Sequence, residues 1–165
     1  MTIPIKIRRA TLLDLSEIQT LFVETIRQVT QRDYEPAQLE AWASSVHNRL
    51  RWRAAIMNQY FLVAALEDVI VGFGSLDQGN YIDFLYVHKD YQRKGIANTI
   101  YQVLEQEAIR ARQTEMTTYA SKTACPFFLA RGFDIVKENK NQIREVEIIN
   151  YRMKKVLEPT NQTGI

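Results

Sequence analysis

The residues best suited to chemistry lie between Tyr81 and Asn98, where Tyr-Ile-Asp-Phe-Leu-Tyr-Val runs into His-Lys-Asp-Tyr-Gln-Arg-Lys-Gly-Ile-Ala-Asn. The apolar run reads as a strand, and the polar stretch after it opens an amphipathic helix near Gly95. The first amides of such a helix have no intrahelical acceptor and sit at the positive end of the macrodipole. Arg93 and Lys94 add two cations there, against the usual preference of helix starts for acidic residues. Gly95 lets the backbone approach a ligand with no side chain between. Gln92, Arg93, Lys94, Gly95, Ile96, Ala97 and Asn98 therefore read as a cradle for a pyrophosphate, the bland alternative being a solvated loop with a basic helix start.

The elements that must position this cradle follow from hydrophobic periodicity. Pro4 to Arg9 alternates as a short strand, and Thr11 with Asp14 resembles a capping box before a helix over about 12–30. Pro36 opens a second helix carrying Leu39, Trp42, Ala43 and Val46, which runs on, with a break, toward Met57. Strand patterns follow at Tyr60–Leu66, Val69–Leu76 and Tyr81–Val87, joined by turn signals as an antiparallel meander. The helix from Gly95 extends to about Arg112. After it come a strand over Met116–Ala120, a short helix over Thr123–Ala130, and strands over Phe133–Lys137 and Val146–Lys155. Residues 139–145 read as a solvated hairpin loop. This order predicts an α/β fold of the α+β type, with helices covering one mixed sheet.

Composition narrows the function classes. The chain has 165 residues with 21 basic and 19 acidic side chains, a formal charge of +2. That size suits one domain, expected over 1–157, with residues 158–165 as a flexible tail. The small charge excess gives no reason to expect nucleic acid as partner, and Arg49-Leu50-Arg51-Trp52-Arg53 reads as a solvated helix face. One cysteine and two histidines supply neither a disulfide framework nor a metal centre, so no metal is expected. No apolar run approaches the roughly 20 residues of a membrane helix, and the N-terminus has no signal-peptide pattern. A cytoplasmic protein without a membrane partner is the expectation.

Gln92-Arg93-Lys94-Gly95-Ile96-Ala97 after Leu85-Tyr86-Val87 resembles the acetyl-coenzyme A loop of the GCN5-related N-acetyltransferases. The block Ala120-Ser121-Lys122-Thr123-Ala124-Cys125-Pro126-Phe127-Phe128-Leu129-Ala130-Arg131-Gly132-Phe133 is similar to the family's later motif. Ile7-Arg8-Arg9-Ala10-Thr11 with Asp14, then Tyr34, Gln38 and Trp42, and finally Asn150 to Lys155, resemble one bacterial branch of that superfamily. The likeness covers nearly the whole chain, in order. It implies a mixed, mostly antiparallel central sheet with helices on both faces, splayed between the fourth and fifth strands. It also implies acetyl-CoA as cosubstrate, its pantetheine arm in the splay beside Leu85, Tyr86 and Val87, its pyrophosphate on residues 92–98, and Ser121 and Phe128 along the arm. The activity implied is transfer of an acetyl group to the amine of a small molecule or to an exposed amino group. The alternative is a non-catalytic acyl-CoA-binding or regulatory module. A homodimer is admitted among the partners.

The chemistry asked of such a site is a base, an oxyanion donor, here the Val87 amide, and an acid for the departing thiolate. Asp83 is the leading base, since a carboxylate four residues before Val87 shares its face on a regular strand; the alternative is a half-exposed strand residue. Where the family often carries an acidic tyrosine this chain has Phe128, which donates no proton. That leaves Tyr119, Cys125 or no dedicated acid at all. Tyr34 and Trp42, with the carboxylates of Asp33, Glu35 and Glu40, are the expected wall for the acceptor, attracting a cationic amine.

Overall fold

In a computed structural model, which describes residues 4–158, seven strands form one sheet in the order β1-β2-β3-β4-β5-β7-β6. The chain runs β1 (Lys6–Arg9), α1 (Leu15–Val29), α2 (Pro36–Ala43), α3 (Arg49–Asn58), β2 (Tyr60–Leu66), β3 (Val69–Asp77) and β4 (Tyr81–Val87). It continues through α4 (Ile96–Arg110), β5 (Glu115–Ser121), α5 (Cys125–Leu129), β6 (Asp134–Ile143) and β7 (Val146–Val156). All neighbours pair antiparallel except β4 and β5.

The sheet separates two apolar cores. On one face, Ile96, Ile100 and Leu104 of α4 and Phe128 of α5 meet Leu62, Ile82, Met116 and Met153. On the other, Ile18, Phe22 and Ile26 of α1 and Trp52 of α3 meet Phe61, Phe73 and Phe84. Trp52 stacks on Phe84 with centroids 4.7 Å apart, and Phe22 meets the Trp52 ring edge-on at 4.9 Å. Helices thus cover both faces, as the resemblance implied.

Local chemistry sets the boundaries. The Asp14 carboxylate accepts from Arg8 at 2.8 and 2.9 Å and from the Thr11 amide at 2.8 Å, which starts the first helix with a 3-10 turn over Leu12–Asp14. The break expected in the second helix is a 3-10 turn over Ser44–His47, after which the Asn48 side chain caps α3 by accepting from the Arg51 amide.

Residues 139–145 are the main departure. Most of that segment is strand, and the turn is only Arg144 and Glu145, both at positive φ (49° and 64°), a conformation that suits a two-residue hairpin. Asn141 donates to the Ile148 carbonyl and to Asn150, and Ile143 and Val146 pack on the core beneath the first helices. The polar residues looked solvated because β6 is exposed along most of its length, not because the backbone is irregular. The short helix is likewise shorter than expected, Cys125–Leu129, and the tail expected over 158–165 lies, from 159 onward, outside the described residues. Among the described residues no helix is long and apolar enough to cross a membrane.

Candidate active site

β4 and β5 are parallel neighbours over only two register pairs, Tyr81 with Thr117 and Ile82 with Thr118. The buried Thr118 hydroxyl donates to the Ile82 carbonyl at 2.9 Å and closes this junction. Beyond it β5 stays paired with β7 through Ser121 while β4 stays paired with β3 through Val87, so a gap opens between the two half-sheets. The expected splay is present, with its apex at Ile82 and Thr118.

The amides that face the gap follow from alternation. The His88 amide donates to Val71 of β3 at 2.8 Å, so the polar groups of Val87, and of Leu85 two residues earlier, point away from β3 into the gap. The Val87 carbonyl is occupied: Gln92 Nε2 donates to it at 2.6 Å and Thr25 Oγ1 at 3.2 Å. Gln92 therefore folds back to fasten the loop to the end of β4. Of the expected hydrogen-bonding groups, the Val87 N–H and the backbone of Leu85 remain turned toward the gap.

At its open end lies the start of α4. Gly95 is the N-cap at φ +79°, Arg93 is also left-handed at +60°, and the first intrahelical bond is Thr99 N–H to Gly95 C=O at 3.0 Å. The amides of Ile96, Ala97 and Asn98 precede that bond and have no acceptor of their own within the helix. A Cβ placed on Gly95 would meet nothing within 4 Å, so the turn is open to whatever approaches it. Arg93 and Lys94 are exposed, with the Lys94 ammonium over the Tyr91 ring at 5.7 Å.

A further cation stands at this turn that the sequence reading left without a role. Arg131, just after α5, donates through Nε to Asn98 Oδ1 at 2.8 Å and through Nη1 to the Phe127 carbonyl at 2.9 Å. Its guanidinium lies 3.6 Å from the Phe127 ring centroid. Arg131 makes no ion pair among the described residues, so an immobilised positive charge stands beside the positive end of a helix. Only the Arg-Gly-Phe spacing could have drawn attention to it.

The remaining site residues fall on both sides of the sheet. Between Ser75 and Leu76 of β3 the β4 partner jumps from Phe84 to Ile82, which makes Asp83 the extra residue of a bulge. Val87 belongs to the α4 face, whereas Asp83 joins α3 on the opposite face, so the regular-strand premise for placing them together does not hold. Arg51 Nη2 donates to Asp83 Oδ1 at 3.0 Å, Gln59 Nε2 to Oδ2 at 2.8 Å, and the buried Ser75 hydroxyl to Gln59 Oε1 at 2.7 Å. Tyr86, next to the gap, packs against Phe22 and Phe73 on that same face. Burial pushes its hydroxyl above the ordinary phenol range, with hydrogen bonding from Trp42 acting the other way.

Tyr119 is the first β5 residue past the apex and is half exposed, meeting the Tyr81 ring at 6.0 Å. Burial, with the nearby Asp83 charge, pushes the Tyr81 hydroxyl up to about 12. Cys125 and Phe128 lie on the other face. Cys125 is buried and its thiol is pushed up by burial, while Phe128 packs between Phe127 and Phe133. The Ser121 hydroxyl accepts from the Ala124 amide at 3.0 Å and shapes the turn into α5.

The expected acceptor wall is committed elsewhere. The Tyr34 hydroxyl donates to the Ile149 carbonyl at 2.7 Å and accepts from the Lys122 amide at 2.9 Å, and Trp42 meets its ring edge-on at 5.6 Å. Asp33 accepts from Thr123, Glu40 pairs with Arg27, and Glu35 opens α2 as its N-cap. Instead, an open cleft of ≈ 670 Å³ begins at Tyr81 and Tyr119 and extends over Lys137, Asn139, Asn141 and Asn150 of the β6–β7 hairpin. Sequence reasoning missed this cleft because it took part of the hairpin for a loop.

The family profile of an acetyltransferase (GNAT) domain matches residues 30–156. The uncharacterised N-acetyltransferase YafP of Escherichia coli K12 is 30% identical over 141 residues, 86% of this chain and 89% of the relative. A crystal structure of a GCN5-related N-acetyltransferase from Rhodopseudomonas palustris superposes with a TM-score of 0.89 at 34% identity, over 95% of this chain and 99% of the other. The PaiA N-acetyltransferase of Thermoplasma acidophilum, solved with coenzyme A, shares the fold with a TM-score of 0.76 at 18% identity, over 93% and 99% of the two chains. With its splayed sheet and its open helix start, the chain is an acetyltransferase and belongs to the GCN5-related N-acetyltransferase family.

Proposed function

We propose that the chain transfers the acetyl group of acetyl-CoA to an amine, of a small molecule or of an exposed amino group, by direct attack on the thioester. The observation that carries this reading is the gap between β4 and β5, with Leu85 and Val87 amides turned into it and the free first turn of α4 at its mouth. A pantetheine arm there pairs with the Val87 N–H as an added strand would. The pyrophosphate takes the amides of 95–98, with Arg93, Lys94 and Arg131 as its cations.

The gap-facing amide nearer the apex, Leu85 N–H rather than the expected Val87, donates to the thioester oxygen as it gains charge. As the nitrogen–carbon bond forms, the carbon–sulfur bond breaks, and the ammonium proton passes to Asp83 through water. Each Asp83 oxygen already accepts a hydrogen bond yet keeps lone-pair capacity for a water. The thiolate, with an ordinary pKa near 8.5, leaves readily and takes its proton from solvent, or from Tyr119 or Cys125.

Titration calorimetry with acetyl-CoA tests the first half of this reading, and saturable binding is expected. No heat at millimolar ligand overturns it. Thiol release against a panel of amines tests the second half.

A further inference from the structure

We propose that the acceptor is an amine that also carries a carboxylate, an amino acid or the acidic end of a peptide, and that its carboxylate is held on the open sheet face by Lys137 and Arg152 with the Asn139 and Asn150 amides. This rests on the reading above, since the cleft concerned starts at the apex of the β4–β5 gap, at Tyr81 and Tyr119.

Strand alternation assigns the face. Met116, Thr118 and Ala120 of β5 and Met153 of β7 point into the core beneath α4 or are buried beside it, so Tyr119 and Arg152, which are register partners, point to the opposite side. Across β7, Arg152 is paired with Lys137 and Asn150 with Asn139, so all four share that side with Tyr119. Among the described residues no helix covers them: Lys137 and Arg152 are exposed, and Asn139 and Asn150 are half-buried.

The charge on this face is uncompensated. Neither Lys137 nor Arg152 makes an ion pair among the described residues, whereas Lys154, on the same side of β7, is neutralised by Glu115 at 2.7 Å. Glu138 and Lys140 also line the cleft and contribute one charge of each sign. The carboxylates expected to attract a cationic amine are engaged, Glu40 with Arg27, Asp33 with the Thr123 hydroxyl and Glu35 as the cap of α2. Hydrogen bonding points the same way: the Asn150 oxygen accepts from Asn141, and the Asn139 amide nitrogen is buried with no acceptor among the described residues. Two cations and an orphaned donor beside an aromatic pair match a planar anion attached to an apolar or aromatic body. A polycationic amine would meet like charge here.

The test compares amino acids as free acids with the same amino acids as C-terminal amides, in thiol release from acetyl-CoA, with coenzyme binding measured by calorimetry on the same protein. The free acid should be favoured by about tenfold in kcat/KM, mainly through KM, the size of one charge-assisted contact. Lys137→Glu and Arg152→Glu should each remove that preference, with coenzyme affinity measured by calorimetry as the control for folding. If no amino acid turns over, side-chain NH2 signals of Asn139 and Asn150 are followed by NMR as free acid or amide is added to the coenzyme-loaded protein. Shifts with the acid alone support the assignment. Equal response to acid and amide, or none at tens of millimolar, overturns it while leaving the coenzyme reading intact. Absence of acetyl-CoA binding overturns that reading instead.

Discussion

At the scale of single residues, the cradle at α4 is built from positions whose substitution separates backbone strain from electrostatics. Gly95 is left-handed with open space where a Cβ would stand, so Gly95→Ala carries strain of about 1 kcal/mol and little else. Gly95→Glu carries the same strain and adds a carboxylate where the pyrophosphate is proposed to sit. Acetyl-CoA affinity should fall by at least about tenfold in Gly95→Glu relative to Gly95→Ala, read by calorimetry. Equal affinity in the two variants would place the phosphates elsewhere. Arg131 supports a parallel expectation. Its guanidinium is held by Asn98 and by the Phe127 carbonyl, so little entropy remains to be lost when an anion arrives. Arg131→Lys keeps the charge but loses the fork and the ring contact, and both Arg131→Lys and Arg131→Ala should weaken coenzyme binding, with salt dependence reduced only in Arg131→Ala. Asp83→Asn, by contrast, should lower kcat without changing coenzyme affinity. An unchanged rate would remove Asp83 from the chemistry and leave it as an anchor for α3.

At the scale of elements, the cradle depends on how closely α4 lies on β3. A Cβ added to Gly74 would stand 2.7 Å from Ile100 Cγ2, far inside contact distance. Gly74→Ala should therefore push α4 off the sheet, cost about 1–3 kcal/mol in denaturant unfolding, and weaken coenzyme binding without touching a ligand. A substitution tolerated on both counts would mean that α4 is not pinned there. The entry to α1 is governed differently: hydrogen bonding from Arg8, with the Thr11 amide also contributing, holds the Asp14 carboxyl below the ordinary carboxylate range despite partial burial. A depressed folded-state pKa stabilises the fold above the ordinary carboxylate pKa, and that stability is lost as pH falls through the folded value. Asp14→Asn should cost about 1 kcal/mol at neutral pH, and the difference from the parent should shrink as pH falls below the ordinary carboxylate range. These elements show what the sequence made legible. β2, β4 and the body of α4 are apolar on the faces that pack, so their period announced them. β6 packs little on either face, and its Lys-Glu-Asn-Lys-Asn run carries no apolar signal. The bulge at Asp83 leaves no trace in period at all, because it is set by pairing with β3. The gap between β4 and β5 was inferable only from the resemblance, since the register that ends at Ile82 and Thr118 is a property of two strands over thirty residues apart.

At the scale of the whole molecule, the sheet is two half-sheets, β1 to β4 and β5 to β7, joined through two register pairs, one threonine hydroxyl and the core beneath α4. Few bonds therefore resist opening along the line where acetyl-CoA is proposed to lie. Other ties cross the same line: Tyr34, between α1 and α2, fastens α1, which packs on β3 and β4, to the Ile149 carbonyl of β7 and the Lys122 amide after β5, and Arg131 joins α5 to α4. A ligand that pairs with Leu85 on one side and reaches Ser121 on the other adds to these ties, and it binds the folded state alone. At a hundredfold excess over its dissociation constant it should raise unfolding free energy by about 2.7 kcal/mol, seen as an upward shift in melting temperature that grows with concentration. Hydrogen exchange separates bridging from simple docking. Protection should rise together in Leu85 and Val87 of β4 and in the edge of β5 around Ala120 and Ser121, as well as at the start of α4. Protection confined to residues 93–98 would mean that the phosphates bind while the arm stays outside the gap, and the acetyl group would then be held away from the Leu85 amide. Tyr34→Phe provides the internal control, because it loses the hydroxyl bridge but no proposed ligand contact. In that variant the unliganded half-sheets should exchange faster, and coenzyme should restore more protection than it adds to the parent.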